Sequence, residues 1–174
     1  MREHFGSRHA KLWMADLLFR AVPPFVAPNL RTQSLRAAGF EIGQASVFWG
    51  RPFFYGTGDI TGRLTVGTDC GFNAGCVFDL EAAVTIGNHV AVGHRVMFLT
   101  RDYDHGSAAQ RAGAVRRAPI VVEDGAWLGA RAVVLPGVTI GAGSVIGAGV
   151  AVTQDVPPNT LLSGTQKIPL TKWR

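Results

Sequence analysis

The stretch LTRDYDHG, Leu99 to Gly106, gathers the side chains of this chain best suited to moving a proton. His105 carries an imidazole whose ordinary pKa, about 6.5, lies near working pH, which suits a general base for a hydroxyl. An alcohol is a poor nucleophile until its proton starts to leave, so such a base suits any reaction in which a hydroxyl attacks. Tyr103, with an ordinary pKa near 10, is a weak base unless strongly perturbed. In an extended segment the two residues point to the same side, about 6.6 Å apart at ~3.3 Å per residue. Gly106 next door permits a bulge, and Asp102 and Asp104 flank the pair, where either can orient an imidazole.

What must position this segment is a repeat. From Ile42, bulky apolar residues return every sixth position: Ile42, Phe48, Phe54, Ile60, Val66, Phe72 and Phe78. The register slips by two, resumes at Ile86, Val92 and Phe98, then continues at Val122, Leu128, Val134, Ile140, Ile146 and Val152. From Phe98 to Val122 is 24 residues, a multiple of six, so the intervening segment can bulge out while the coil stays in phase. No helix has this period, and a hairpin sheet does not hold phase this long. A six-residue repeat predicts an all-β fold, a parallel β-helix in which three short strands and three corners make one triangular coil. Coils stack at about 4.8 Å, the ordinary strand spacing. Little over five coils are expected.

The ends break the rule. Residues Arg8 to Val22 read as a helix stopped by Pro23, Pro24 and Pro28, and a second short helix is expected over Arg31 to Ala38. The chain divides into a helical segment at 1–41, the β-helix at 42–156 with a protruding loop at about 99–121, and a tail at 157–174 carrying Lys167, Lys172 and Arg174. Lys and Arg outnumber Asp and Glu by 17 to 12, but the basic residues are scattered and no aromatic platform alternates with them, which argues against nucleic acid. The N-terminal segment is a candidate for packing on a partner subunit, ahead of a membrane surface. LWMADLLF is short, carries Asp16 and lacks a small-residue cleavage site, so no secretory signal is expected. Cys70 and Cys76 suggest neither a metal knuckle nor a disulfide framework and fit small buried residues in a reducing cytoplasm.

FNAGCVFDLEAAVTIGNHVAVGHRVMFL, and later WLGARAVVLPGVTIG with VTQDVPPNT after it, resemble the hexapeptide-repeat acyltransferases, nearest to sugar O-acetyltransferases of the maltose/galactoside and capsule- or nodulation-type groups. The resemblance implies a left-handed coil, a homotrimer, and acetyl-CoA lying between two subunits without a metal. It implies that the Ala130 backbone N–H faces the thioester oxygen, that Trp127, Gly129, Ala148 and Thr153 line the coenzyme path, and that Lys167 replaces a basic contact missing at Gln154. It makes Glu81, with Asp104, a candidate for holding a saccharide acceptor, and Asn73 a candidate at the catalytic centre. The family places its catalytic His thirty residues after that Asn; counting from Asn73 reaches Tyr103. Three readings follow: His105 acts from a shifted loop, with Tyr103 shaping or covering the acceptor; another residue or a partner's His takes the proton; or the protein is a trimeric binding or scaffold member that does not acetylate.

A resemblance to the γ-class carbonic anhydrases, with His94 at a zinc-holding position, is weaker. The second His of that pattern is Leu99 here, and His89 is offset by half a repeat.

Overall fold

The computed structural model describes residues 10–164, 166–169 and 171. The period of six becomes a triangular prism with three parallel sheets as its faces. The first face stacks Glu41–Ile42, Leu64–Val66, Val84–Ile86, Ile120–Val122 and Thr139–Ile140. The second stacks Val47–Phe48, Gly71–Phe72, Ala91–Val92, Trp127–Leu128, Val145–Ile146 and Thr160–Ser163. The third stacks Phe53–Tyr55, Val77–Asp79, Met97–Leu99, Val133–Val134 and Ala151–Val152. Each repeat's bulky residue points inward: Phe48, Phe72, Val92, Leu128 and Ile146 lie one above another on the second face, all buried.

Because equivalent residues of successive coils are in register, like side chains stack. Phe48 lies on Phe72 with ring centroids 4.4 Å apart and planes 5° from parallel, and Phe78 is stacked with Phe54 at 5.5 Å and Phe98 at 5.0 Å. Each such pair adds about 0.5–1.5 kcal/mol beyond the area it buries. Where coils approach most closely, only glycine fits. A Cβ on Gly93 would lie 2.6 Å from the Ala130 nitrogen, and one on Gly129 would lie 2.6 Å from the Ala148 nitrogen.

Departures from the six-residue count collect at one place, the third corner, where the chain passes from the third face back to the first. There the chain inserts the turn around Thr61–Arg63, the two-residue slip near Glu81, and the hairpin of Arg101–His105 with Ala112–Arg117. Ile60, counted above as a strand position, is buried from this corner and belongs to no strand. The coil also continues beyond its expected end at 156. Val156 bridges to Ile140, and Thr160–Ser163 pairs in parallel with the Val145–Ile146 strand before Gln166–Pro169 folds back antiparallel. Pro157 and Pro158 interrupt nothing, because they lie over Gly141 at the top of the first face, beyond which no described strand would accept an N–H, and Asn159 takes the left-handed backbone there at φ 54°.

Helices α1 (Ala10–Ala21) and α2 (Pro28–Ala38) close the open end of the prism. Pro28 starts α2, and Gly39 at φ 110° ends it, its N–H reaching the Arg36 and Leu35 carbonyls. Arg8, read as the start of the first helix, lies outside the described residues, as do Lys172 and Arg174. Ala15, Phe19, Leu35 and Phe40 continue the core. Thr32 Oγ1 accepts the Phe48 N–H at 3.2 Å, and Asp16 accepts from Arg51 at 2.7 Å, so both helices are tied to the first coil. Arg31 is buried and donates to the Val22, Pro23 and Val26 carbonyls, holding the interhelical turn, while burial lowers its pKa. No described helix is long and apolar enough to cross a membrane.

Candidate functional site

The sequence-predicted site residues fall on two edges of the prism. Asn73, Gly129, Ala130 and Ala148 lie along the second corner, reached from the second face, with Trp127 on that face just before it. The stacking is direct: the Asn73 N–H donates to the Val92 carbonyl (2.9 Å), Gly93 N–H to Leu128 (2.8 Å), and Gly129 N–H to Ile146 (2.7 Å). The ladder engages the residue entering the corner and leaves the next one out. Accordingly the N–H groups of Ala74, His94, Ala130 and Ala148 make no backbone hydrogen bond among the described residues. A row of free donors therefore runs up this edge, one per coil. Ala130 needs no special side chain to present an N–H to a developing oxyanion. Trp127 is 51% exposed on the outer face and forms a wall beside that row.

Tyr103, Asp104 and His105 stand at the third corner, on the first strand of the hairpin, all exposed. Tyr103 pairs with Val115 and His105 with Ala112, and the register shifts between the two pairs. The segment is therefore irregular, in keeping with the bulge that Gly106 permits, so the ~6.6 Å separation of a regular strand does not apply. Asp102 accepts the Tyr103 N–H at 2.7 Å. Among the described residues neither Asp102 nor Asp104 is hydrogen-bonded to His105, so the orienting role expected of these carboxylates is not seen within one chain.

Glu81 occupies the foot of the hairpin. Its carboxylate, with only 5% of the side chain exposed, accepts from Arg117 Nε at 3.0 Å and Thr57 Oγ1 at 3.2 Å, with Arg101 at 3.9 Å. Burial pushes its pKa up, but the hydrogen bonds from Arg117 and Thr57 and the charges of Arg117 and Arg101 outweigh burial and hold it below the usual range. Asp79, also buried, lies 3.8 Å from Arg101. Arg101 and Arg117 face each other across the hairpin stem, so Glu81 grips both strands.

Thr153 follows the last strand of the third face and is exposed. Lys167, from the final strand, donates to the Asp155 carbonyl at 2.6 Å. Asp155 is the chain neighbour of Gln154, the position where a basic residue was missing. The third corner thus carries Glu81, Tyr103, Asp104, His105 and Thr153, with the Lys167 side chain reaching Asp155 from the second-face sheet, and the whole third face separates that corner from Asn73 and Ala130. Composition gave no hint of the Glu81 grip; the signal was the pair Arg101 and Arg117, symmetrically placed about the loop. Among the described residues no three His, Cys, Asp or Glu side chains gather to hold a metal, and His89 pairs with Asp69 (3.9 Å) at another corner from His94.

A family model described as the hexapeptide repeat of succinyl-transferase matches residues 119–154. The chain is 39% identical to nodulation protein L of Rhizobium meliloti over 131 residues, 75% of this chain and 69% of that protein. It is 35% identical to a galactoside O-acetyltransferase of Lactococcus lactis over 138 residues, 79% of this chain and 65% of that one. It spans only about half (48%) of a longer Schizosaccharomyces pombe relative that is 45% identical over 100 residues, 58% of this chain. Among solved structures, a hexapeptide-repeat-containing acetyltransferase of Vibrio cholerae complexed with acetyl coenzyme A superposes with a TM-score of 0.74 at 30% identity, over 92% of this chain and 84% of that one. The repeat, the free N–H row and these likenesses agree: the chain belongs to the hexapeptide-repeat acetyltransferases.

Proposed function

We propose that the protein transfers an acetyl group from acetyl-CoA to a hydroxyl of a sugar or polysaccharide precursor, in a homotrimer in the cytoplasm. The observation that carries this reading is the division of the site residues between two edges of one prism. Two copies side by side, with the hairpin edge of one against the second corner of the other, bring His105 of one to Asn73 and Ala130 of the other. The coenzyme then runs along the row of free N–H groups. The acceptor hydroxyl attacks the thioester carbonyl as the His105 imidazole takes its proton. The Ala130 N–H holds the oxyanion, and collapse breaks the C–S bond, the imidazolium returning the proton to the leaving thiolate. Tyr103, exposed on the same strand, covers the acceptor.

The test is release of coenzyme A from acetyl-CoA in the presence of methyl β-galactoside or maltose, with the molar mass of the assembly measured by light scattering. Trimers and acceptor-dependent release that falls at least a hundredfold in His105→Ala are expected. Release unchanged in His105→Ala removes that residue from the mechanism. If Tyr103→His creates activity where the natural chain has none, the binding-only reading stands instead. A monomer without affinity for coenzyme A overturns the proposal.

A further inference from the structure

Beside Asn73 the second corner carries an aromatic cluster that no step above uses. Phe25, in the turn between the two helices, lies 6.2 Å from Trp49 and 6.1 Å from His94, ring centroid to centroid. The turn is held there by the Phe25 N–H, which donates to the Trp49 carbonyl at 2.6 Å. Phe25 sits at φ 65°, a left-handed backbone that costs a bulky residue roughly 1–3 kcal/mol. Strain of that kind is not repaid by burial here, because the ring is 56% exposed and Trp49 is 38% exposed. The indole lies over Gly71, where a Cβ would stand 3.9 Å from Trp49 Nε1. His94 is exposed, and neither its imidazole nor the half-buried Asn73 carboxamide has a side-chain hydrogen bond among the described residues. Two apolar ring faces, a free amide and a free imidazole therefore meet at one corner. Ala130 belongs to the coil directly above His94, about one strand spacing (~4.8 Å) away.

We infer that Phe25 and Trp49 are the platform on which the acceptor's pyranose ring lies, with Asn73 and His94 hydrogen-bonding its hydroxyls. A pyranose offers weakly positive C–H groups on one face, which suit the negative face of an aromatic ring, and hydroxyls at its rim, which suit amide and imidazole. A ring on this platform is presented to a thioester held at Ala130. The inference rests on the acetyl transfer proposed above.

The test is steady-state kinetics of the full chain with acetyl-CoA and methyl β-galactoside or maltose, comparing Phe25→Gly and Trp49→Leu with the natural protein. Glycine suits φ 65°, so the first variant removes the ring without straining the turn. The acceptor KM is expected to rise tenfold or more in each, with the acetyl-CoA KM unchanged. Acceptor KM unchanged in both variants, or an acetyl-CoA KM that rises in step, overturns the platform while leaving the transfer reaction standing. Coenzyme binding without transfer to either saccharide overturns the platform as a sugar site, and loss of coenzyme binding in the natural chain overturns the proposed function with it.

Discussion

Replacing Glu81 by Ala separates a role in holding the hairpin from a role in holding the acceptor. The carboxylate accepts from Arg117 and Thr57 and attracts Arg101, almost entirely shielded from solvent. A hydrogen bond to a charged partner contributes about 1.5–3 kcal/mol in a shielded setting. Arg117 and Arg101 are 48% and 40% exposed, so water takes back much of that when the partner is lost, as at surface ion pairs worth ~0.2–1 kcal/mol. The cluster as a whole then contributes about 1–2 kcal/mol. The loss is local: amide exchange over Arg101–His105 and Ala112–Arg117 should accelerate by about 5–30-fold, while the coil strands keep their protection. On the proposed mechanism turnover should fall, because His105 rides on this hairpin, and Glu81→Gln, whose amide oxygen can keep both hydrogen bonds, should recover part of it. Hydrogen exchange by mass spectrometry alongside kinetics decides the matter. Unchanged exchange with a raised acceptor KM would refute the grip and return Glu81 to the acceptor. The pH dependence has a sign of its own. Because the folded carboxyl titrates below its unfolded value of about 4.3, the stabilisation is complete above that pH and is lost as pH falls through the lower folded value.

Gly129→Ala, whose Cβ would lie 2.6 Å from the Ala148 nitrogen and 2.8 Å from the Ile146 oxygen, should cost about 1–3 kcal/mol and lower the melting temperature in calorimetry. Phe72→Ala removes a fully buried ring from the stack and should cost about 3–5 kcal/mol, read as a lowered urea midpoint. Burial pushes the Cys76 thiol up to about 12 and raises that of Cys70, so neither should react with a thiol reagent at pH 8 until the protein is unfolded.

The prism was legible because burial repeats with the backbone: Phe48, Phe72, Val92 and Leu128 point inward for the same reason at each coil. Ile60 was misread because an insertion of six residues at the third corner mimics one more side of the triangle, and counting alone cannot tell a corner from a strand. The end at Pro157 was misread because proline cannot donate to a ladder; Gly43, Gly67, Gly87, Glu123 and Gly141 do donate from the equivalent position, but Pro157 tops the first face, where no described strand lies beyond to accept. The site was legible only as a set. A six-residue period does not say which edge is which, so the sequence did not show that Asn73 and His105 lie on different corners of one prism. Phe25 was invisible, since nothing in PPFV announces a left-handed turn that props a ring against Trp49.

That all insertions enter at a single vertex has a bearing on how such a chain can diversify. Material added there lengthens an appendage and leaves the winding of the wall untouched, so the hairpin can change while the row of N–H groups along the second corner stays as it is. On the proposed reading, a different hairpin spliced between Leu99 and Ala118 that keeps a histidine in the place of His105 should therefore alter the fit around the acceptor while the donor stays the same.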